Sequence, residues 1–411
     1  MGAPRRLAVV LALLALLLAA RPAMAAAKPP DVSDAASAIL IEASTGEVLY
    51  ARDAEQRRPI ASTTKLMTAL LTMEKAKLAD KIAASGYIAA PIESKLSLRP
   101  GERLSVADLL RGLMLESAND AAMALADGVG GSETRFVRMM NRHARTLGLE
   151  NTHYENPIGL DAPGNFSSAH DLAKLAADLR ENSFIRKIAN RTSATLATGD
   201  RPRSIRNRNS LLAKDPRVNG LKTGHTSGAG YVLVGTRTER QVTLVSVVLG
   251  TPSLAARDAD SLALLTWGAG KMEKIEPVTE GELVGQPEIA FRRGATTNLV
   301  TSGTVSRVVR TGAKITMDDV GVPRTVKGPV ARGQRFGYRE VFADGKRIAA
   351  VPIVAEHFVP AADVAQRTKD WFTRPLALIL AVAVLGGTVL MARRLRRGPP
   401  RGRRRSEPEA A

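Results

Sequence analysis

From Pro375 to Ala392 the chain reads PLALILAVAVLGGTVLMA, eighteen consecutive residues without a charge. Such a run has one stable form in a bilayer, a helix of about 27 Å that nearly matches the hydrocarbon thickness. Trp371 and Phe372 precede it as interfacial residues, Arg374 can snorkel, and RRLRRGPPRGRRR follows at once. A buried core helix has similar composition, but it is not normally followed by eight arginines. The positive-inside rule puts the basic tail, 393–411, in the cytoplasm and residues 26–374 outside. The N-terminus fits this topology. MGAPRRLAVVLALLALLLAARPAMA has a basic start, an apolar run from Leu7 to Ala20 and a small-x-small ending, a signal peptide over 1–25 cleaved after Ala25. Arg5 and Arg6 belong to an ordinary basic start rather than to a twin-arginine signal. The expectation is a single-pass protein of the cell membrane with its body extracytoplasmic.

Between these ends, composition removes several chemistries. There is no cysteine, so disulfides, thiolate catalysis and cysteine-based zinc sites are excluded. The five histidines are scattered, with no H-E-x-x-H spacing, and neither a metal nor another cofactor is expected. The net charge of +19 resembles a nucleic-acid signal until it is divided along the chain. Three arginines without an acid lie in residues 1–25, and eight arginines against Glu407 and Glu409 lie in 393–411. Aromatics make up only 4% of residues, which leaves little to stack on bases. No nucleic-acid partner is expected, because targeting ends explain much of the charge.

Residues 26–273 mix strands with helices. Ala38–Glu42 and Val48–Ala51 flank the turn residues Ser44-Thr45-Gly46 as a hairpin. Helical patterns cover 62–75, 105–115, 119–128 and 132–147. Tyr231–Gly235 and Val242–Leu249 read as adjacent buried strands around a polar turn at Thr236–Gln241, followed by a helix at Ala255–Trp267. The fold class is α+β, with helices around an antiparallel sheet. Residues 276–360 are short strands broken by glycine turns, a small all-β domain. Residues 361–374 are a juxtamembrane linker to the membrane helix at 375–392.

Within RPIASTTKLMTALLTMEK, Ser62 and Lys65 stand three residues apart at the start of an apolar helix, so hydroxyl and amine share a face. A serine hydroxyl becomes a nucleophile only when a base takes its proton, and a desolvated lysine can be that base. The pair alone is equally well read as a helix cap beside a lysine. Two other stretches change the balance. Ser117-Ala118-Asn119 sits in MLESANDAAMALA, a polar break between helices. Lys222-Thr223-Gly224 sits in GLKTGHTSGAGYVLV, where glycine lets a substrate backbone approach a strand and the cation can hold an anion. The chain contains one S-x-x-K, one S-x-N and one K-T-G. Each has a bland reading: Ser117 and Asn119 as loop caps, Lys222 as a solvated strand lysine.

Three ordered motifs of this kind resemble the penicillin-recognising serine hydrolases. More closely, with NPIGLDAPGNFSSAHDLAKLA, KTGHTSGAGYVLVGT and the glycine-rich 276–360 region, the chain resembles the D-alanyl-D-alanine carboxypeptidases of peptidase family S11, the low-molecular-mass penicillin-binding proteins. The resemblance implies a transpeptidase-like α+β fold followed by a β domain. It implies that Ser62 attacks the carbonyl of the penultimate D-alanine, Lys65 takes the proton, Ser117 relays protons to the leaving amine, and Asn119 orients Lys65 and the substrate amide. Lys222 and Thr223 would bind the terminal carboxylate, and the backbone N–H groups of Ser62 and His225 would form the oxyanion hole beside Gly224. The imidazole of His225 is set aside as a packed group. Arg257 is a weaker candidate for attracting the carboxylate and reads as well as a surface charge. The implied partners are peptidoglycan stem peptides, β-lactams as covalent inhibitors, and the membrane. The oligomeric state is not legible.

Three rival activities share these residues. A β-lactamase needs a deacylating glutamate, and Glu150 and Glu155 lie in the wrong surroundings for it. A transpeptidase would pass the acyl group to an amine, and a non-catalytic β-lactam or wall sensor would bind without turnover.

Overall fold

The computed structural model describes residues 28–372 and 375–396. Residues 1–27, which include the expected signal peptide, and residues 373–374 and 397–411 lie outside the described residues. The chain divides into two compact units, one running to Lys274 and including Val308–Thr311, the other comprising Ile275–Arg307 and everything from Gly312 onward.

The first unit is built on a five-stranded antiparallel sheet. Its strands are β1 (Ser37–Glu42), β2 (Val48–Arg52), β3 (Val218–Thr226), β4 (Gly230–Glu239) and β5 (Val242–Thr251), in the order β2-β1-β5-β4-β3. Alternation along β1 shows why helices must cover both faces. Ile39 and Ile41 pack into one apolar core, Ala38 and Leu40 into another, and all six residues of the strand are buried. The first core holds α1 (Lys65–Lys75), α2 (Val106–Arg111), α3 (Asn119–Gly130), α4 (Glu133–Thr146) and α5 (Ala169–Glu181). The second holds α6 (Leu254–Gly268), through Leu264 and Leu265. The unit is a three-layer sandwich.

Local chemistry explains the turns. Between β1 and β2, Glu42 Oε2 accepts from the backbone N–H and hydroxyl of both Ser44 and Thr45, and Gly46 takes φ +71° to close the hairpin. The β4–β5 turn is shorter than its polar composition suggests. Thr236–Glu239 continue the strand, and only Arg240 and Gln241, both at positive φ, reverse the chain. The helix at Ala169–Glu181 carries no strong signal before Ser168, whose hydroxyl caps it by accepting from Asp171 N.

The second unit, taken by itself, contains a five-stranded antiparallel sheet. Its strands are β6 (Leu283–Gly285), β7 (Leu299–Thr301), β8 (Ile315–Val320), β9 (Arg335–Ala343) and β10 (Lys346–Ala355), ordered β6-β7-β10-β9-β8. Two small apolar clusters pack against it, one around Leu299 and Ile353, the other around Val305 and Val341. The linker stretch is not irregular throughout, because Val364–Phe372 form a helix, α7. After it α8 (Pro375–Arg396) contains a window of mean hydropathy 1.8, from Leu378 onward, with none of it buried. A core helix of a soluble domain would be covered, so this helix fits a membrane anchor.

Candidate active site

The site grows from the entry into α1. Leu66, Met67, Leu70 and Leu71 are buried, which orients the helix and contributes about 1.5–3 kcal/mol per side chain. A 3₁₀ turn, Ala61–Thr64, leads into it. Thr63 is buried with its hydroxyl on Ile60 O, and Thr64 accepts from Asn165 Nδ2, so the two threonines lock the turn into the core. Ser62 is left half-buried at the start of the helix. Ala61, just before it, takes φ +47°, and Ser117 takes φ +63°. Left-handed backbone at a non-glycine residue costs on the order of 1 kcal/mol and persists only where the surroundings enforce it.

Lys65 Nζ lies 2.8 Å from Ser62 Oγ and 2.6 Å from Asn119 Oδ1, and it also donates to Ile158 O. The lysine is fully buried. Burial, reinforced by the positive charge of Lys222, drives its pKa well below the usual lysine range, against the opposing carboxylates of Glu93 and Asp120. A lysine disposed to be neutral, touching a serine hydroxyl, is a competent base.

Ser117 ends a π-helical turn, Gly112–Glu116, that follows α2. The left-handed turn aims its hydroxyl at β3, where Lys222 Nζ donates to Ser117 Oγ at 2.9 Å and to Thr223 O at 2.8 Å. Lys222 is not a solvated strand lysine; it is buried. Burial, then the charges of Arg208 and Arg257, bring its pKa down to about 7, with Glu116 opposing. Thr223 is buried beside it. A side chain at Gly224 would bring a Cβ to 2.8 Å from Ser62 N, so β3 abuts the turn carrying Ser62, and only glycine permits that approach. β3 is also an edge strand of its sheet.

Two readings of side chains change. His225 is exposed, and its ring lies against Tyr231 with centroids 4.0 Å apart, so it is not a packed core group. Arg257 is not a surface charge. It is buried, with Nη2 on Asp258 Oδ1 at 2.7 Å and on Ser210 Oγ at 3.2 Å, and it reaches Lys222 through its charge.

Several contributors were not named as site residues from the sequence, although the first lies in the NPIGLDAPGNF stretch. The Ile158 carbonyl arrives from a loop closed by Asn156 Oδ1, which accepts from Ile158, Gly159 and Leu160 N–H groups. At Gly159, φ is +84°, and a Cβ would fall 2.0 Å from Ala61 O. Glu93 accepts from Asn119 Nδ2 at 2.6 Å and from Tyr87 OH. Its loop, PIESKLSLRPG, has neither helical nor strand period, and only tertiary contact reveals it. A separate cluster, Glu55, His170 and Asp171, brings ligand-type atoms together. Its members are engaged among themselves and with neighbours: Glu55 pairs with His170, and Asp171 accepts from Asn151 N and Thr152 Oγ1.

The chain has counterparts among known proteins. The sequence profile of the D-alanyl-D-alanine carboxypeptidase family matches residues 23–253. The chain belongs to this family of serine peptidases. That match spans the three motifs and His225 and stops short of Arg257. Among curated members, the chain is 33% identical to the D-alanyl-D-alanine carboxypeptidase DacD of Escherichia coli over 84% of this chain and 92% of that protein. It is 32% identical to DacF of Bacillus subtilis, over 79% and 85%. Among solved structures, penicillin-binding protein 5 of Haemophilus influenzae superposes with a TM-score of 0.63 at 30% identity, covering 81% of this chain and 99% of that one. The Streptomyces K15 DD-transpeptidase superposes with a TM-score of 0.55 at 33% identity, covering 59% of this chain and 98% of that one.

Proposed function

We propose that this family member removes the terminal D-alanine from peptidoglycan stem pentapeptides through an acyl-enzyme on Ser62, and that penicillins acylate the same oxygen. The observation that carries the reading is the buried Lys65 amine 2.8 Å from Ser62 Oγ, with its pKa held well below the ordinary value. Lys65 accepts the Ser62 proton as Oγ attacks the penultimate carbonyl. The backbone N–H groups of Ser62 and His225 stabilise the oxyanion, an effect that can supply several kcal/mol, about 3 per donor. Ser117, bonded to Lys222, hands a proton to the departing D-alanine amine. Protonated Lys222, with Thr223, receives the terminal carboxylate, and Arg257 adds to the local positive potential. Water then hydrolyses the ester, with Lys65 as base again.

The test is labelling by a fluorescent penicillin, together with release of D-alanine from diacetyl-Lys-D-Ala-D-Ala. Ser62→Ala is expected to abolish both. Covalent labelling of Ser62→Ala would remove the nucleophile assignment, while labelling of the wild type without D-alanine release would favour a sensor.

The likeness to the K15 DD-transpeptidase favours a second reading, transfer of the acyl group to an amine. Product analysis with an added acceptor amine distinguishes it. For placement, the 276–360 region would act as a stalk and α8 as a single span with the arginine tail in the cytoplasm. Carbonate-resistant membrane association that disappears when residues 375–411 are removed is the expected result, and retention of the truncated chain on the membrane would refute it.

A further inference from the structure

Asn119 presents two different ends to two different charges. Its Oδ1 accepts from Lys65 Nζ at 2.6 Å, and its Nδ2 donates to Glu93 Oε2 at 2.6 Å. An amide rotated by half a turn would set NH₂ against the lysine and carbonyl oxygen against the carboxylate, two repulsive contacts in place of two attractive ones. Glu93 therefore decides which way the amide points. The carboxylate is itself fixed. Tyr87 OH donates to Oε2, Ala90 N donates to Oε1 at 3.0 Å, and Lys95 Nζ ties the loop by donating to Ala89 O and Ala90 O. The residues that follow are pinned to the start of α3: Asn119 N donates to Ser94 O, and the Asp120 carboxylate accepts from Leu96 N and Leu98 N at 3.0 Å. Glu93 is thus clamped between its own loop and the helix that carries Asn119.

We propose that Glu93 is a positioning residue for acylation, fixing the Asn119 amide toward Lys65 and supplying the counter-charge for the lysine ammonium that acylation creates. The proposal rests on the Ser62–Lys65 reading above. The step it serves is balanced. The Ser62 Oγ–H proton moves to the Lys65 lone pair, Oγ bonds to the carbonyl carbon, and the carbonyl π pair moves to oxygen. On collapse the C–N bond breaks, and the amine nitrogen takes a proton by way of Ser117. While the proton sits on Lys65, a buried ammonium faces Lys222 from β3, Glu93 from the loop and Asp120 from α3. Lys222 opposes that charge, and of these three charged groups the two carboxylates favour it, alongside the neutral acceptors Asn119 Oδ1 and Ile158 O. Glu93 is itself held ionised. Burial alone would raise its pKa, but the hydrogen bonds from Asn119 and Tyr87 outweigh burial and lower it. The same contact pushes the Tyr87 phenol up, second to burial, so Tyr87 remains a donor throughout the working range.

Second-order acylation by a fluorescent penicillin, followed in the detergent-solubilised full chain from pH 5 to pH 9, tests this. Glu93→Ala is expected to slow acylation by about 100-fold, because the amide loses its orientation. Glu93→Gln keeps an oxygen for Asn119 Nδ2 and removes the charge. It is expected to recover at least about tenfold of that loss while moving the acidic limb of the profile to lower pH by about one unit. Tyr87→Phe, which removes one hydrogen-bond donor to the carboxylate but leaves its charge, is expected to shift the limb less than Glu93→Gln does. Glu93→Ala with the wild-type rate, or Glu93→Gln with an unmoved limb, overturns the proposal. Should Glu93→Ala fail to fold, judged by its thermal transition, the limb of Glu93→Gln decides alone. Ser62→Ala is the companion control. If it still labels, the nucleophile reading fails; if it is dead while the Glu93 variants behave as wild type, only this proposal fails.

Discussion

Lys222 Nζ donates to Ser117 Oγ across 2.9 Å, joining the middle of an edge strand to the left-handed residue that ends a π-helical turn. The contact spans 105 positions of sequence and places a buried cation beside the proposed proton relay. Lys222→Met keeps the bulk and removes the charge. It is expected to raise KM for the D-Ala-D-Ala peptide and to lower kcat/KM by about 100-fold, because a desolvated carboxylate loses its partner. Steady-state kinetics on the peptide provide the check, and an unchanged KM would show that the carboxylate binds elsewhere.

The two lysines set a bell-shaped pH dependence with a definite sign. Lys65 works neutral, so acylation should rise as pH climbs through its depressed pKa. Lys222 works charged, so acylation should decline above its value of about 7. Lys65→Arg keeps a cation that cannot act as base and is expected to lose about 1,000-fold in acylation rate. A Lys65→Arg variant that keeps the wild-type rate would assign the base to another group.

Gly224 is expected to be intolerant of even one methyl group. An alanine Cβ there meets Ser62 N at 2.8 Å and Ala61 Cβ at 3.0 Å, so β3 or the nucleophile turn must move. A displacement near 1 Å at the reacting groups costs about 100-fold, so Gly224→Ala should lose that much in penicillin acylation while the thermal transition falls only modestly. A large loss of stability with normal acylation per folded molecule would contradict this account.

Away from the site, Arg203 and Glu102 form a bidentate pair, with Nη1 and Nη2 each 2.8 Å from a carboxylate oxygen and Glu102 buried. Burial opposes ionisation of Glu102, but the bonds from Arg203 and the backbone N–H groups of Arg99 and Asp200 prevail and lower its pKa to about 2. A carboxylate whose folded pKa is depressed adds stability above its unfolded value near 4.5, and that stability drains as pH falls from there toward 2. Arg203→Leu strands a buried charge and should cost about 3 kcal/mol at pH 7, with less loss at pH 3. Denaturant melts at the two pH values measure the difference, and an equal loss at both would refute the linkage.

Much of the site was legible because its members are marked by local pattern. Ser62 and Lys65 share a helical face, Ser117 and Asn119 interrupt a helical run, and Lys222-Thr223-Gly224 lies within a strand and carries the small residue that close approach requires. The hairpin at 37–52 and most helices in the first 150 residues showed themselves through apolar period and turn chemistry. Other features had no such mark. The Ala169–Glu181 helix passed unread. The strand through Thr236–Glu239 looked like a turn because its polar residues find distant partners that no local pattern reveals, Thr236 with Arg180 on the Ala169–Glu181 helix and Arg237 with Asp215 ahead of β3.

The sequence by itself determined which atoms were available for chemistry: an oxygen nucleophile, amine bases, and no thiol. It also determined the apolar C-terminal helix, since an uncharged run of that length leaves few other conformations. Only the tertiary structure decided how those atoms behave. Lys65 and Lys222 are ordinary lysines in an extended chain. Both become depressed-pKa groups because folding removes them from water and sets cations beside them, Lys222 beside Lys65, and Arg208 and Arg257 beside Lys222. The same folding carries Glu93 to Asn119, and the buried Arg257 to Ser210, 47 positions away. Charge and desolvation depend on distance through space, and local pattern along the chain does not encode that distance.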